Sequence, residues 1–144
     1  MTRKFLIATA VAALIGSVSS SAMAGGLNIE QFGFGHAAGG EQHGFDNDIG
    51  IFQDGLFNTS INRQFGNRNT AAVGQSGVNN FADTFQFGND NAAGVGQFGA
   101  NHNAIVTQDG NGNIAAGVQV GNGCDANVTQ AGGGNVAAFV QTCP

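Results

Sequence analysis

Two cysteines, three histidines and one acidic, glycine-rich loop are the residues of this 144-residue chain that could act on a substrate or hold a metal. His36, His43 and His102 stand alone, with no second ligand at the spacing a zinc site uses. Asp109-Gly110-Asn111-Gly112-Asn113 opens like a calcium loop, but the position due a bidentate carboxylate holds Val120. No serine sits in a nucleophile elbow, no His–carboxylate pair is spaced for acid–base work, and no phosphate loop is present. The residues therefore read as those of a protein that is not an enzyme and needs no cofactor. Cys124 and Cys143 remain, and two readings of them stand: a disulfide, or two buried free thiols.

The chemistry that does recur is that of the amide. The chain has eleven glutamines, and all fall eleven residues apart: Gln31, Gln42, Gln53, Gln64, Gln75, Gln86, Gln97, Gln108, Gln119, Gln130 and Gln141. Glycine follows two residues later at Gly33, Gly44, Gly55, Gly66, Gly77, Gly88, Gly99, Gly110, Gly121 and Gly132. Five after the glutamine comes asparagine, at Asn47, Asn58, Asn69, Asn80, Asn91, Asn113 and Asn135, replaced by His36, His102 and Cys124. Seven after it comes alanine, except at Ile49 and Ser60, and two residues further an aliphatic such as Val73, Val95, Val106 or Val128. A solitary buried amide costs several kcal/mol, on the order of 2–7, unless both its donors and its acceptor find partners. A row of identical amides can satisfy itself, each bonding the copies above and below.

The elements needed to build such a row follow from parity. Asn, Ala, aliphatic, Gln and Gly occupy alternate positions, so on a β-strand they share one face. From Gly to the next Asn is an odd step spanned by turn formers, such as Asn67-Arg68, Asn89-Asp90, Asn111-Gly112 and Gly133-Gly134. Each unit is then one strand and one turn, and two units make a coil. The predicted fold is all-β: a β-solenoid of strand-turn-strand coils, ten units in about five coils, with residues 22 apart in register. The repeated face points inward, and the variable face, which carries the charges, points to solvent. On this geometry Cys124 and Cys143 face one another at the open end of the last coil, within reach of a disulfide in an oxidising setting.

Composition agrees with a thin core. Charged residues make up 9 %, there are 25 glycines, and beyond residue 24 only Leu27 and Leu56 are leucine, which excludes an ordinary helical bundle. The N-terminus reads as an address: basic Arg3 and Lys4, an apolar stretch over 5–18, and an Ala22-Met23-Ala24 cleavage signature. Residues 1–24 are thus expected to be a secretory signal peptide, residues 25–35 a Gly-rich segment, and 36–144 the repeat domain. Without the leader, Arg63 and Arg68 face nine acidic residues, a net charge of −7 that disfavours nucleic-acid binding. The apolar stretch is too short to span a bilayer, so no stable membrane insertion is expected.

The unit resembles the curlin repeat of bacterial curli subunits, Q-x-G-x2-N-x-A-x3-Q. Gln86-Phe-Gly88-Asn-Asp-Asn91-Ala-Ala93-Gly-Val-Gly-Gln97 matches every element, and the resemblance covers about residues 31–143. It implies a secreted subunit of an extracellular, pilus-like functional amyloid of the biofilm matrix, serving surface adhesion. It also implies three partners: further copies of itself, an outer-membrane secretion pore, and accessory or nucleator proteins. The chain departs from the family in using Phe where Tyr is usual and in lacking a regular Ser before each Gln. Residues 25–44 look like the family's pore-engaging segment yet keep the eleven-residue frame, so both a targeting tail and a first strand are open. A major, fibre-forming role fits better than a nucleating one, since no repeat degenerates into a basic, membrane-seeking unit. A monomeric solenoid adhesin is the alternative.

Stacked coils leave two open edges, and with a single proline, Pro144, and no capping helix, the ends invite head-to-tail association. Asp46, Asp48, Asp54, Asp83, Asp90, Asp109 and Asp125 read equally as gatekeepers against early assembly or as ordinary solubilising charge. Phe52, Phe65, Phe81, Phe85, Phe87 and Phe98 fall on outward positions, with Phe65 expected to stack on Phe87. The cluster Phe65, Phe81, Phe85 and Phe87 reads either as an adhesive patch or as strand-stabilising stacking.

Overall fold

A computed structural model describes residues 25–144, and the expected leader, 1–24, lies outside the described residues. Eleven strands follow one another: β1 (Leu27–Phe34), β2 (Ala37–His43), β3 (Asp48–Leu56), β4 (Thr59–Asn67), β5 (Thr70–Val78), β6 (Phe81–Asn89), β7 (Ala92–Ala100), β8 (Asn103–Asp109), β9 (Ile114–Asn122), β10 (Asp125–Ala131) and β11 (Val136–Cys143). Odd-numbered strands form a six-stranded sheet in the order β1-β3-β5-β7-β9-β11, and even-numbered strands a five-stranded sheet, β2-β4-β6-β8-β10. Every pairing is parallel and in register at a separation of 22, so Gln53 lies against Gln75 and Gln64 against Gln86. The molecule is a two-sheet β-solenoid of about five coils.

The strand count is one more than the ten expected. Residues 27–34 pair with β3 throughout, from Leu27 on Ile49 to Phe34 on Leu56. Gln31 already sits in the eleven-residue frame, and that suffices to place β1 in the ladder. The strand is exposed along its length, because only one neighbour covers it.

Alternation sets the core. In β5, β6 and β7 the inward residues Ala71, Val73, Ala82, Ala93 and Val95 are buried, and Ala104, Val106 and Ala115 continue the row. These side chains are small, so the sheets close together and leave the inward amides dry: Gln53, Gln64, Gln75, Gln86, Gln97, Gln108 and Gln119 are all 0 % exposed.

The reversals are arcs with a fixed conformation. The glycine two after each glutamine has φ between 95° and 133° at Gly33 to Gly132, closed to L side chains. At Gly88 an added Cβ would also run into the carbonyl oxygen of Gly110 in the next coil. Two residues on, the chain is left-handed again, at Asp46, Phe57, Arg68, Asn79, Asp90 and Asn101, with φ of 55–59°, and then at Gly112, Gly123 and Gly134. Asp and Asn tolerate this region through local hydrogen bonds, whereas Phe57 and Arg68 have no such relief.

Candidate functional site: amide ladders and open edges

Each sheet carries one glutamine ladder. In the six-stranded sheet it runs Gln31–Gln53–Gln75–Gln97–Gln119–Gln141, and in the five-stranded sheet Gln42–Gln64–Gln86–Gln108–Gln130. Nε2 of each residue donates to Oε1 of the next at 2.7–3.1 Å. The second Nε2 hydrogen crosses to the other sheet. Gln53 donates to the Ala37 carbonyl at 3.0 Å, Gln86 to Thr70 at 3.0 Å, and Gln97 to Phe81 at 2.8 Å. Each amide thus joins successive coils and also ties the two sheets together. All donors point the same way along the axis, toward the C-terminal end.

The asparagines act differently from the simple amide stack expected. Oδ1 accepts from a backbone N–H one coil on: Asn47 from Asn69 N at 3.0 Å, Asn58 from Asn80 N at 3.0 Å, and Asn91 from Asn113 N at 3.0 Å. Nδ2 donates to the arc glycine carbonyl of that coil, Asn69 to Gly88 at 2.8 Å and Asn91 to Gly110 at 2.8 Å. Direct amide-to-amide bonds occur at Asn69–Asn47 and Asn135–Asn113, at 3.1 and 2.9 Å. Asparagine is one methylene shorter than glutamine, so its amide stays against the arc and clips both limbs of one turn to the turn above.

His36 and His102 take over half of that clip. Nδ1 of His36 accepts from Asn58 N at 3.2 Å, and Nδ1 of His102 from Cys124 N at 3.1 Å. Each Nε2 faces a carbonyl four residues back, Phe32 at 2.9 Å and Phe98 at 3.2 Å, so Nε2 takes the donor role while Nδ1 accepts. His43 instead points outward, stacked on Phe65 with centroids 5.1 Å apart and 3.1 Å from Glu41 Oε1. Cys124 and Cys143 are joined in a disulfide with Cα atoms 5.6 Å apart, tying the end of β11 to the arc between β9 and β10.

Two polar features escaped the sequence reading. A second asparagine column, Asn67–Asn89–Asn111, runs outside the arcs with Nδ2-to-Oδ1 distances of 2.9 and 3.0 Å. The residues are 22 apart, and that spacing was the available signal behind what reads only as turn chemistry. Inside β4 and β6, Ser60, Asn62 and Thr84 replace core apolar residues and bond one another in a buried chain.

The two outer faces differ. On the five-stranded sheet Phe81 and Phe85 are half-buried and Phe87 is exposed. Phe65 and Phe87 are register partners, but the Phe65 ring meets Phe85, 5.8 Å away, and His43 rather than Phe87. Arg63 lies over the Phe85 ring, 5.5 Å from its centroid, and pairs with Asp83 at 2.8 Å. On the six-stranded sheet Gly50, Ala72, Gly74, Gly94, Gly96 and Ala116 floor a shallow axial trough of about 580 Å³.

The arrangement orders amides and stacks them coil on coil. No curated protein matches the chain. The family model of the curlin associated repeat matches twice, over residues 77–110 and 104–132. Those limits enclose β6 to β10 with their arcs, and the same glutamine bonds run on beyond them to Gln31 and Gln141. One repeat rule therefore governs the described solenoid, and over residues 77–132 it is that of the curlin associated repeat.

Proposed function

We propose that this chain is an exported structural subunit that polymerises end to end into extracellular, curli-like amyloid fibres of a biofilm matrix, where it serves surface adhesion. One observation carries the reading: the two ends of the described solenoid are complementary in hydrogen-bond sense. At the N-terminal end Gln31 and Gln42 direct their donors into the molecule, which leaves Oε1 facing out. At the C-terminal end Gln130 and Gln141 bond Ile114 and Asp125 carbonyls with one Nε2 hydrogen and keep the other for a further coil. The outer edges of β1, β2, β10 and β11 are free among the described residues. An unprotected parallel edge that matches its opposite end generates filaments.

The major-subunit role suits a chain whose glutamine and glycine frame stays uniform from unit to unit. Residues 25–35 would serve first as the segment the secretion pore engages and later as strand β1. A monomeric adhesin draws support from the disulfide, which restrains the last coil, but that bond leaves the β10 and β11 edges uncovered. Incubating the purified chain with thioflavin, followed by fibre diffraction, tests the proposal. Fibres with a meridional reflection near about 4.8 Å are expected. A chain that stays monomeric and soluble at tens of micromolar for days would refute it.

A further inference from the structure

The odd number of strands bears on how one copy meets the next. Among the described residues the six-stranded sheet holds both the first strand, β1, and the last, β11, so it projects beyond the five-stranded sheet at each end. If the next copy followed by translation alone, its β1 would pair with β11. Its β2 would then stand two strand spacings above β10, leaving one strand's place empty and two backbone edges unpaired. A half-turn about the fibre axis removes the gap, because the projecting β1 of the next copy enters the recess over β10 while its β2 pairs with β11. We propose, on the basis of the end-to-end assembly above, that successive subunits are related by a two-fold screw, so that each sheet of one copy continues the other sheet of its neighbour.

Side chains at the two ends fit this joint. Continuing the 22-residue register places Gln31 and Gln42 of the next copy over Gln130 and Gln141, so both ladders run on. Asn135 lacks the arc-glycine acceptor that Asn113 finds in Gly132 and turns back to the Ala131 carbonyl instead. At the joint its Nδ2 meets the Gly33 carbonyl of the next copy, and its Oδ1 meets the backbone N–H of that copy's His36. The aliphatic column supplies an independent match. Phe139 is the one aromatic residue in that column, and its ring lies where a Cβ on Gly117 would be. The only other glycine in the column is Gly40, and the screw sets Gly40 of the next copy against the upper side of Phe139. Translation would instead press Ile29 onto that ring. The screw also seats Leu27 and Ile29 of the next copy, 52 % and 39 % exposed in the single molecule, on Ala126 and Val128.

The joint predicts a rise of about 26 Å per subunit with a rotation near 180° beyond the solenoid's own twist, against about 29 Å and no half-turn for translation. It also makes the small-residue trough and the phenylalanine ridge alternate along each side of the fibre. Helical reconstruction of fibres grown from the full chain reads the symmetry directly. Cysteine pairing gives a second readout, because Thr129 and Glu30 of adjacent copies become register neighbours only in the screw, and Val140 and Glu30 only under translation. These residues are exposed and lie too far apart within one molecule to bond each other. Oxidised fibres of Glu30→Cys/Thr129→Cys should run as a covalent ladder on a denaturing gel, while those of Glu30→Cys/Val140→Cys stay monomeric. The reverse pattern, or fibres that give neither ladder, or a translational symmetry, overturns the screw and leaves polymerisation standing. Failure to form fibres at all overturns both.

Discussion

The glutamine amide is a poor core residue in a globular protein and the right one here, because every copy has a copy one coil away. Gln86 shows the accounting: it gives one hydrogen to Gln108 and one to the Thr70 carbonyl, and accepts from Gln64, with nothing left over. Gln86→Leu keeps the volume and orphans all three partners. It should lower the unfolding free energy by at least about 3 kcal/mol, since each buried group left without a partner costs about 1–3 kcal/mol. A guanidinium titration followed by β-sheet circular dichroism reads this, and an unchanged midpoint would show that the ladder contributes nothing. Backbone strain gives the opposite case. Phe57 holds a left-handed φ of 56° that asparagine or glycine occupies elsewhere in the series. Phe57→Gly should stabilise by about 1 kcal/mol, the usual relief of that strain, less what the Phe34–Phe57 edge-to-face contact supplies. A fall in stability would mean that this contact outweighs the strain.

At the scale of the element, the arc is the part that carries individual features. The disulfide closes a separation of 19 residues around the last arcs, and chain entropy assigns such a loop about 3 kcal/mol. Reduction should therefore lower stability by up to that amount while leaving β3 to β9 intact. Hydrogen exchange should show protection lost first in β10 and β11, and a uniform loss would contradict this placement. Charges on the arcs alternate up the stack, Asp46, Arg68, Asp90, with Arg68 Nε 2.6 Å from Asp90 Oδ1. The Arg68 hydrogen bond holds the Asp90 carboxyl below its ordinary 3.8. A lowered folded value means that the pair stabilises above that ordinary value and is lost as pH falls through the folded one. The pair is exposed and its effect is small. Asp90→Asn should accordingly lower stability by a small, even amount above about pH 4 and remove the slope below it; a change of slope near neutral pH would point to another group.

At the scale of the whole molecule, parallel in-register stacking makes any repeated charge its own neighbour. Among the described residues no acidic side chain has another acid 22 residues away, and where a charge lies 22 away it is of opposite sign, as in Glu41–Arg63 and Arg68–Asp90. Asn103 beneath Asp125 shows the device, with Nδ2 donating to the carboxylate at 3.0 Å. Asn103→Asp would put two carboxylates in one column. It should cost about 0.5–1 kcal/mol, as like charges directly opposed in a sheet do, and the loss should shrink with salt. A loss that salt does not relieve would assign Asn103 a packing role instead.

How much of this was legible in the sequence depends on what a period can encode. The eleven glutamines and the parity between them determine the strand faces, the 22-residue register, the buried amides and the approach of Cys124 to Cys143. Each of these follows from spacing alone once two strands make a coil. Spacing put Gln31 in the frame and left both a tail and a first strand open for that glycine-rich opening; the pairing with β3 decides for the strand. Nor did it show that the inward asparagines bond the backbone at every coil and their copies only at some, because one methylene of reach decides that. Phe65 likewise turns from its register partner to Phe85 and His43, where the Arg63–Asp83 pair and neighbouring rings compete for the same surface. A period fixes which residues are level with one another; only the folded backbone sets the distances over which their side chains choose partners.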